Sequence, residues 1–217
     1  MKRALLVTGL MALGAATAAG AQLRGIEVRA GALAALSKRN AAFGGAVGTG
    51  SGTMSGMDLT VRAKWFGAEA RVFGGDFTAD SGATAAGTIA NGDLRLMAGP
   101  RTVAAEVGYG RRGFTGALTT ITWSFIRIGA RASLPLGGSG LHAGVALALY
   151  TGVSGAGGAG KGNGKEAETS LTYAPERLPL YLMFGYRREQ FTATAASGDR
   201  PEELSGIVVG GGVRLGR

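Results

Sequence analysis

The sequence contains no cysteine, one histidine and five prolines, and aromatic residues make up only 7% of its 217 residues. Without cysteine the chain forms no disulfide and no thiolate metal site. Any histidine-dependent hydrolase would have to use His142, the single imidazole. After residue 21 no apolar run reaches the roughly 20 residues that a transmembrane helix needs. We therefore expect no cofactor, no metal ion and no helical membrane span.

The first 21 residues have the three parts of a secretory signal peptide in order. Lys2 and Arg3 give a basic start, residues 4–18 carry no charge, and residues 19–21 supply the small side chains of a cleavage site. A membrane anchor is the alternative, but the stretch is short and rich in alanine and glycine. The sequence thus predicts a cleaved segment, 1–21, and an exported domain, 22–217.

Glycine and small apolar residues are abundant in what remains. The chain has 41 glycines and 46% hydrophobic residues, and its mean hydropathy is +0.18. That apolar content is too high for a disordered chain. Hydrophobicity without helical spans is typical of a transmembrane β-barrel, in which lipid-facing residues alternate with lumen residues.

Period-two alternation is the strongest pattern in the sequence. In residues 58–65, Leu59, Val61 and Ala63 alternate with charged or polar residues, which a strand places on opposite faces. The same pattern recurs at 68–73, 93–98, 103–110, 126–134, 141–150, 180–187 and 207–215, and more weakly at 26–34 and 168–173. A change of phase predicts a β-bulge near Phe125 and Ile126. The total is about ten strands.

Short and long connections take turns along the chain. The short ones are Gly67 and residues 99–101, 135–140 and 174–179, and the long polar ones are 37–55, 74–92, 154–167 and 195–203. Short periplasmic turns and long outer loops are the arrangement of an outer-membrane barrel, and an even strand number puts both termini on the periplasmic side. Lys165 and Glu166 are interpreted here as solvated loop charges.

On this pattern, residues 23–217 resemble the small bacterial outer-membrane β-barrel proteins, which are porin-like or of the OmpA type. The resemblance implies an all-β, antiparallel, up-and-down transmembrane barrel of about ten strands, within a range of eight to twelve. It also implies a place in the bacterial outer membrane, both termini periplasmic, and insertion by the barrel-assembly machinery. Two aromatic belts are expected at the interfaces. They would comprise Trp65, Phe66, Tyr173 and Tyr181 near the short turns, and Phe73, Phe77, Tyr109, Trp123, Phe125 and Phe191 near the loops.

The charges point to specific partners. Cleavage would remove Lys2 and Arg3 and leave 21 of the 23 basic residues against 14 acidic ones. This excess favours the anionic headgroups of outer-membrane lipid and lipopolysaccharide. An exported chain without a recognition motif is a poor partner for nucleic acid. The sequence says nothing of the oligomeric state.

Charged residues on the inward side of the predicted strands form a candidate lumen ladder. Its members are Glu27, Arg29, Arg62, Lys64, Glu69, Arg71, Asp93, Arg95, Glu106, Arg127, Arg131, Arg187 and Arg214. Opposite charges inside a narrow barrel pair with one another, and long arginine side chains fill much of the interior. We expect a largely plugged lumen whose residual path, with nine basic against four acidic side chains, favours anions.

The function predicted from the sequence is a structural or narrow-pore barrel that is not an enzyme, with outer loops available to partners. One alternative is an outer-membrane hydrolase, a protease or a lipid A-modifying enzyme, acting at the outer rim. It would use carboxylates such as Asp76, Asp80, Asp199 or Glu202, which are dispersed and lie far from His142 in sequence. A second alternative is a soluble secreted β-protein.

Overall fold

The computed structural model describes residues 25–43, 46–82, 86–116, 120–156, 161–195 and 198–216. The predicted signal peptide lies outside these residues. The strands are β1 (Glu27–Phe43), β2 (Ala46–Arg62), β3 (Phe66–Ser81), β4 (Gly87–Ala98), β5 (Val103–Thr115), β6 (Thr120–Pro135), β7 (Leu141–Ala156), β8 (Lys161–Tyr173), β9 (Leu180–Ala195) and β10 (Gly198–Leu215). No helix among the described residues is long and apolar enough to cross a membrane.

Each strand pairs antiparallel with its sequence neighbours, and β1 pairs with β10 to close the barrel. Val28 lies opposite Leu215 at the seam, so the first and last strands begin and end at the same rim. That rim also carries the connections 63–65, 99–102, 136–140 and 174–179, and we call it the turn end. The opposite rim is the loop end. The predicted all-β, up-and-down barrel of about ten strands is confirmed.

The strands are longer than the alternation of apolar residues predicted. β1 and β2 pair without interruption from Glu27 and Arg62 to Phe43 and Ala46, so most of the predicted loop 37–55 is strand. The predicted loops 74–92, 154–167 and 195–203 are likewise strand over most of their length. These segments were predicted as loops because they lack an apolar face. Where the barrel extends beyond the membrane into water, however, both faces of a strand can be polar. Loss of the apolar face marks the edge of the lipid-facing surface, not the end of the strand.

An apolar band circles the outside of the barrel next to the turn end. On each strand about five outward residues are mostly apolar or small, such as Val28 through Leu36 on β1. Ten residues at about 3.3 Å each, tilted by roughly 40°, span about 25 Å, the height of the lipid-facing band of such barrels. Beyond the band the outward residues turn polar, and the barrel wall continues past it toward the loop end.

Only part of the predicted aromatic belts faces outward. Trp65, Phe66 and Tyr173 are exposed near the turn-end edge of the band, and Tyr109 and Tyr186 are exposed at its loop-end edge. The other predicted belt residues are buried on the lumen side; they are Phe73, Phe77, Trp123, Phe125, Tyr181 and Phe191. For these six the belt prediction was wrong.

The predicted bulge explains why two of these residues were placed on the wrong face. The register between β6 and β7 does shift between Ser124 and Ile126, but the extra residue lies on β7, where Ile126 pairs with Thr151 and Ser124 with Ser154. β6 itself stays in regular register with β5. Its alternation therefore never changes phase, and Trp123 and Phe125 point into the lumen with Arg127.

Gly110 provides a sharp test of this inward packing. It pairs with Phe125 across β5 and β6, and a Cβ at Gly110 would lie 2.3 Å from the Phe125 Cζ. Gly110→Val is expected to lower the free energy of unfolding by about 1–3 kcal/mol, because the ring has to leave its place. Urea unfolding of the refolded barrel measures this. Gly113→Val on the same strand is the control, since its Cβ would meet nothing closer than 3.9 Å. Equal stability of the two variants would contradict the packing.

Candidate functional site in the barrel lumen

The lumen holds an extended network of arginines and carboxylates. Ten arginines on the described strands face inward: Arg29, Arg39, Arg62, Arg71, Arg95, Arg112, Arg127, Arg131, Arg187 and Arg214. Nine carboxylates face them: Glu27, Asp58, Glu69, Asp93, Glu106, Glu166, Glu168, Glu189 and Glu202. The two signs are nearly balanced, unlike the clear basic excess expected from the sequence.

The difference from the predicted ladder has a simple origin. Lys64 is exposed in the 63–65 turn rather than in the lumen, because β2 ends at Arg62. The side chains that the prediction missed are Arg39, Asp58, Arg112, Glu166, Glu168, Glu189 and Glu202. Three of them, Arg39, Glu166 and Glu202, lie on polar strand extensions that were interpreted as loops. Every second residue of a strand lies on the same face. When the predicted inward positions are extended by this rule along β1, β5, β9 and β10, in either direction, they reach Arg39, Arg112, Glu189 and Glu202.

Glu166 of β8 is the centre of the network. Its carboxylate lies 2.6 Å from Arg127 Nη1, 3.0 Å from Arg187 Nη2 and 3.9 Å from Arg95 Nη2. All of these groups are buried or nearly so, and the Tyr150 hydroxyl also contacts Glu166. Three guanidinium groups from β4, β6 and β9 thus converge on one buried carboxylate, which links opposite walls of the barrel.

A second set of ion pairs lies nearer the turn end. Arg131 donates to Glu69 at 2.8 Å and to Glu106 at 2.9 Å. Arg71 donates to Glu168 at 2.9 Å across the lumen. These ion pairs join side chains of different strands and therefore link the walls of the barrel to one another across the lumen. Charge-assisted hydrogen bonds in such a low-dielectric interior are stronger than neutral ones.

Toward the loop end the arginines are packed against aromatic rings. Arg112 pairs with Glu189, and its Nη1 lies 3.6 Å from Glu202. Its guanidinium carbon lies 4.2 Å from the centre of the Phe191 ring, within cation–π distance. Arg39 repeats the arrangement, with 3.4 Å to Glu202 and 3.7 Å to the Phe114 ring centre.

Two buried apolar clusters flank these arginines in the loop-ward half of the lumen. One consists of Leu33, Ala35, Met54, Phe73, Phe77, Ile89, Phe114, Leu204 and Val208. The other consists of Ile121, Trp123, Phe125, Tyr150, Val153 and Phe191. The Phe125 and Tyr150 ring centres are 4.5 Å apart, and those of Tyr150 and Phe191 are 4.8 Å apart. The loop-ward lumen is therefore filled by packed side chains.

The turn-ward lumen, by contrast, contains a polar cavity of about 320 Å³, which we call the vestibule. Glu27 lies at its wall and is shared by Arg29 at 2.5 Å, Arg101 at 2.8 Å and Arg214 at 3.2 Å. Tyr181 donates to Asp58 at 3.1 Å. His142, the second residue of β7, also lines this cavity at the turn end.

The structure does not bring the candidate hydrolytic groups together. Asp76 accepts from Thr88 at 2.6 Å and Asp80 from Ser51 at 2.8 Å, both at exposed positions on β3. Glu202 is paired with arginines inside the lumen, and the side chain of Asp199 lies outside the described residues. Within the described ranges, no three His, Asp or Glu side chains are grouped to hold a metal ion.

Comparison with solved structures identifies the class of the fold. The outer membrane protease OmpT from Escherichia coli superposes with a TM-score of 0.51 at 9% identity, covering 88% of this chain and 96% of that one. The translocator domain of the autotransporter NalP from Neisseria meningitidis gives 0.40 at 14% identity, covering 96% of each chain. OprG from Pseudomonas aeruginosa gives 0.35 at 11% identity, covering 90% of this chain and 98% of that one.

No protein-family model matches the sequence, and no curated protein matches it significantly. Together with the closed ten-strand barrel, the OmpT superposition shows that the chain has the fold of the small outer-membrane β-barrels. At 9% identity the likeness concerns the fold and not the activity.

Proposed function

We propose that the protein is a closed, non-catalytic barrel of the bacterial outer membrane, with a structural role and with both termini in the periplasm. The observation that carries this proposal is the filled lumen. The Glu166 network crosses the barrel, and two apolar clusters fill the loop-ward half. Buried ion pairs that link facing walls are suited to a rigid scaffold rather than to a solute path.

The outside of the barrel supports the proposed orientation and lipid partners. Lys38, Arg111, Lys165 and Arg188 are exposed in the first outward row beyond the apolar band at the loop end. Phosphate groups of lipopolysaccharide lie at this level when the loop end faces outward, so the row offers them cationic partners. Near Lys165 and Arg188, an external groove of about 620 Å³ has an apolar floor that includes Leu147, Leu149 and Ala167. The groove is suited to an acyl chain.

The unaltered refolded protein is expected to give no steady conductance in planar lipid bilayers, because side chains close the lumen. It is also expected to cleave neither peptides nor lipid A, since His142 and the carboxylates Asp76 and Glu202 stand apart. Purified barrel, checked by its heat-modifiable migration in detergent gels, serves both measurements.

Steady channels from the unaltered protein would overturn the closed-lumen proposal. Turnover that His142→Ala abolishes would overturn the non-catalytic proposal and place the activity at the turn end. Turnover that survives His142→Ala would overturn it as well and favour an outer-rim hydrolase, such as a protease, the activity that the name of OmpT gives for that protein. A mature chain that stays soluble without detergent would favour the secreted β-protein instead.

A further inference from the structure

We propose that the vestibule is a binding site for a small oxyanion with two negative charges, such as inorganic phosphate, sulfate or a phosphomonoester. The site lies at the turn end of the lumen, and packed side chains fill the lumen on its loop-ward side. Its volume of about 320 Å³ is at the lower end of the range of small-molecule sites.

The charge of the vestibule favours an anion. Six arginines line it: Arg29, Arg62, Arg71, Arg101, Arg131 and Arg214. Four carboxylates oppose them: Glu27, Asp58, Glu69 and Glu168. The balance leaves two positive charges, since His142 is neutral at pH 7. A concave wall of low dielectric strengthens the attraction for an anion of matching charge.

The excess is concentrated near the mouth of the vestibule. Arg29, Arg101 and Arg214 all use the single carboxylate of Glu27. One carboxylate balances only one of three guanidinium groups, so donors of this set remain available to a further acceptor. A dianionic oxyanion has the charge and the number of acceptor oxygens to take that place.

Arg62 supplies the second, independent observation. Its Nη2 donates to the carbonyl oxygens of Gly99 at 3.2 Å and Pro100 at 2.8 Å, and its Nη1 lies 3.4 Å from the Met97 sulfur. No carboxylate of the described residues pairs with it, and its Nε is buried without an acceptor. Arg62 is therefore a charged side chain on the cavity wall that no described carboxylate balances, and an oxyanion would supply the missing negative charge.

Hydroxyl groups complete the donor set. Thr60, Thr102, Ser133, Ser170 and Thr172 line the same cavity. Hydroxyls and guanidinium groups both donate to oxygen acceptors, and forked guanidinium donors match the tetrahedral oxygens of phosphate and sulfate.

Calorimetric titration of the refolded full barrel tests the proposal. Sodium sulfate, sodium phosphate and glycerol 3-phosphate are titrated separately, with sodium chloride at matched ionic strength as the reference. Saturable binding of sulfate and phosphate, absent with chloride, is the expected result. Comparable binding of glycerol 3-phosphate would identify a phosphomonoester site, and its exclusion would restrict the site to the inorganic ions.

Arg62→Gln is expected to weaken sulfate binding at least tenfold without unfolding the barrel, because Arg62 leaves no carboxylate unpaired. Lys161→Gln, exposed at the loop end of β8 and away from the vestibule, removes the same charge and should bind as the unaltered protein does. If Arg62→Gln does not fold, Arg101→Gln at the exposed mouth takes its place, with binding again weakened. Unchanged binding in the folded variant, equal heats with chloride, or no saturable binding by the unaltered protein would each overturn the proposal.

Discussion

Glu166→Gln will lower the free energy of unfolding of the refolded barrel by about 3–5 kcal/mol, the usual cost of breaking a buried ion pair by removing one partner. The variant keeps the size of the side chain and removes its charge. Arg127, Arg187 and Arg95 then remain buried around a neutral amide. Urea unfolding in lipid vesicles, followed by tryptophan fluorescence, measures the loss.

The matched control for this variant is Glu203→Gln, the same substitution on the outer surface of β10. Glu203 pairs with Arg188 at 2.9 Å in a largely exposed ion pair. Solvent-exposed pairs of this kind contribute little to stability, so the control should unfold nearly as the unaltered protein does. Adding Arg187→Gln to Glu166→Gln removes one of the uncompensated charges and should restore part of the stability. Equal losses in Glu166→Gln and Glu203→Gln would show that the network is not an energetic centre of the barrel.

Ion conductance will appear only when the charged network and an apolar cluster are opened together. Arg127→Ala with Glu166→Ala removes an ion pair of the network and leaves its net charge unchanged. Trp123→Ala with Phe125→Ala opens the apolar cluster that adjoins it on the loop-ward side. Because each element fills its own part of the lumen, each pair of substitutions alone should leave the barrel closed. The four together should give steady channels in planar bilayers.

Lipid-facing substitutions on the same strand provide the control for these recordings. Ile126→Ala with Ile128→Ala removes two large apolar side chains from the outer face of β6, where both residues are exposed. This variant should not conduct. Heat-modifiable migration confirms that every variant forms a barrel before it is recorded. Full conductance from Arg127→Ala with Glu166→Ala alone would mean that the apolar clusters do not seal the lumen.

The sequence predicted the lipid-facing part of the barrel well because two constraints act on it at once. Outside residues must be apolar, and lumen residues on the same strands are small, polar or charged, so the alternation is visible in any single strand. Residues 103–110 show this clearly, with Val103 and Val107 outside and Glu106 inside. Beyond the apolar band the outward residues are polar as well, so the contrast between the two faces of a strand disappears. For this reason the sequence analysis predicted loops where the structure has strands.

The sequence alone could not predict which charged side chains pair with one another in the lumen. Glu166 contacts arginines of β4, β6 and β9, whose sequence separations from it are unrelated to their distances in space. Barrel closure and stagger bring these side chains to one level, and both are properties of the whole sheet. The same holds for the inward turn of Trp123 and Phe125, because the extra residue that accommodates the register shift lies on the partner strand, β7.

The sequence by itself determined the strand periodicity, an even strand number of about ten, the shared rim of the first and last strands, and the charged character of the lumen. These follow from local alternation and from the parity of the strand count, which need no knowledge of contacts. Only the tertiary structure decided that Glu166 is the centre of the network, that aromatic clusters fill the loop-ward lumen, and that Arg62 faces the vestibule without a carboxylate. Those features depend on which side chains meet across the closed barrel. The stagger that brings them together is a property of the whole sheet and cannot be inferred from the sequence of a single strand.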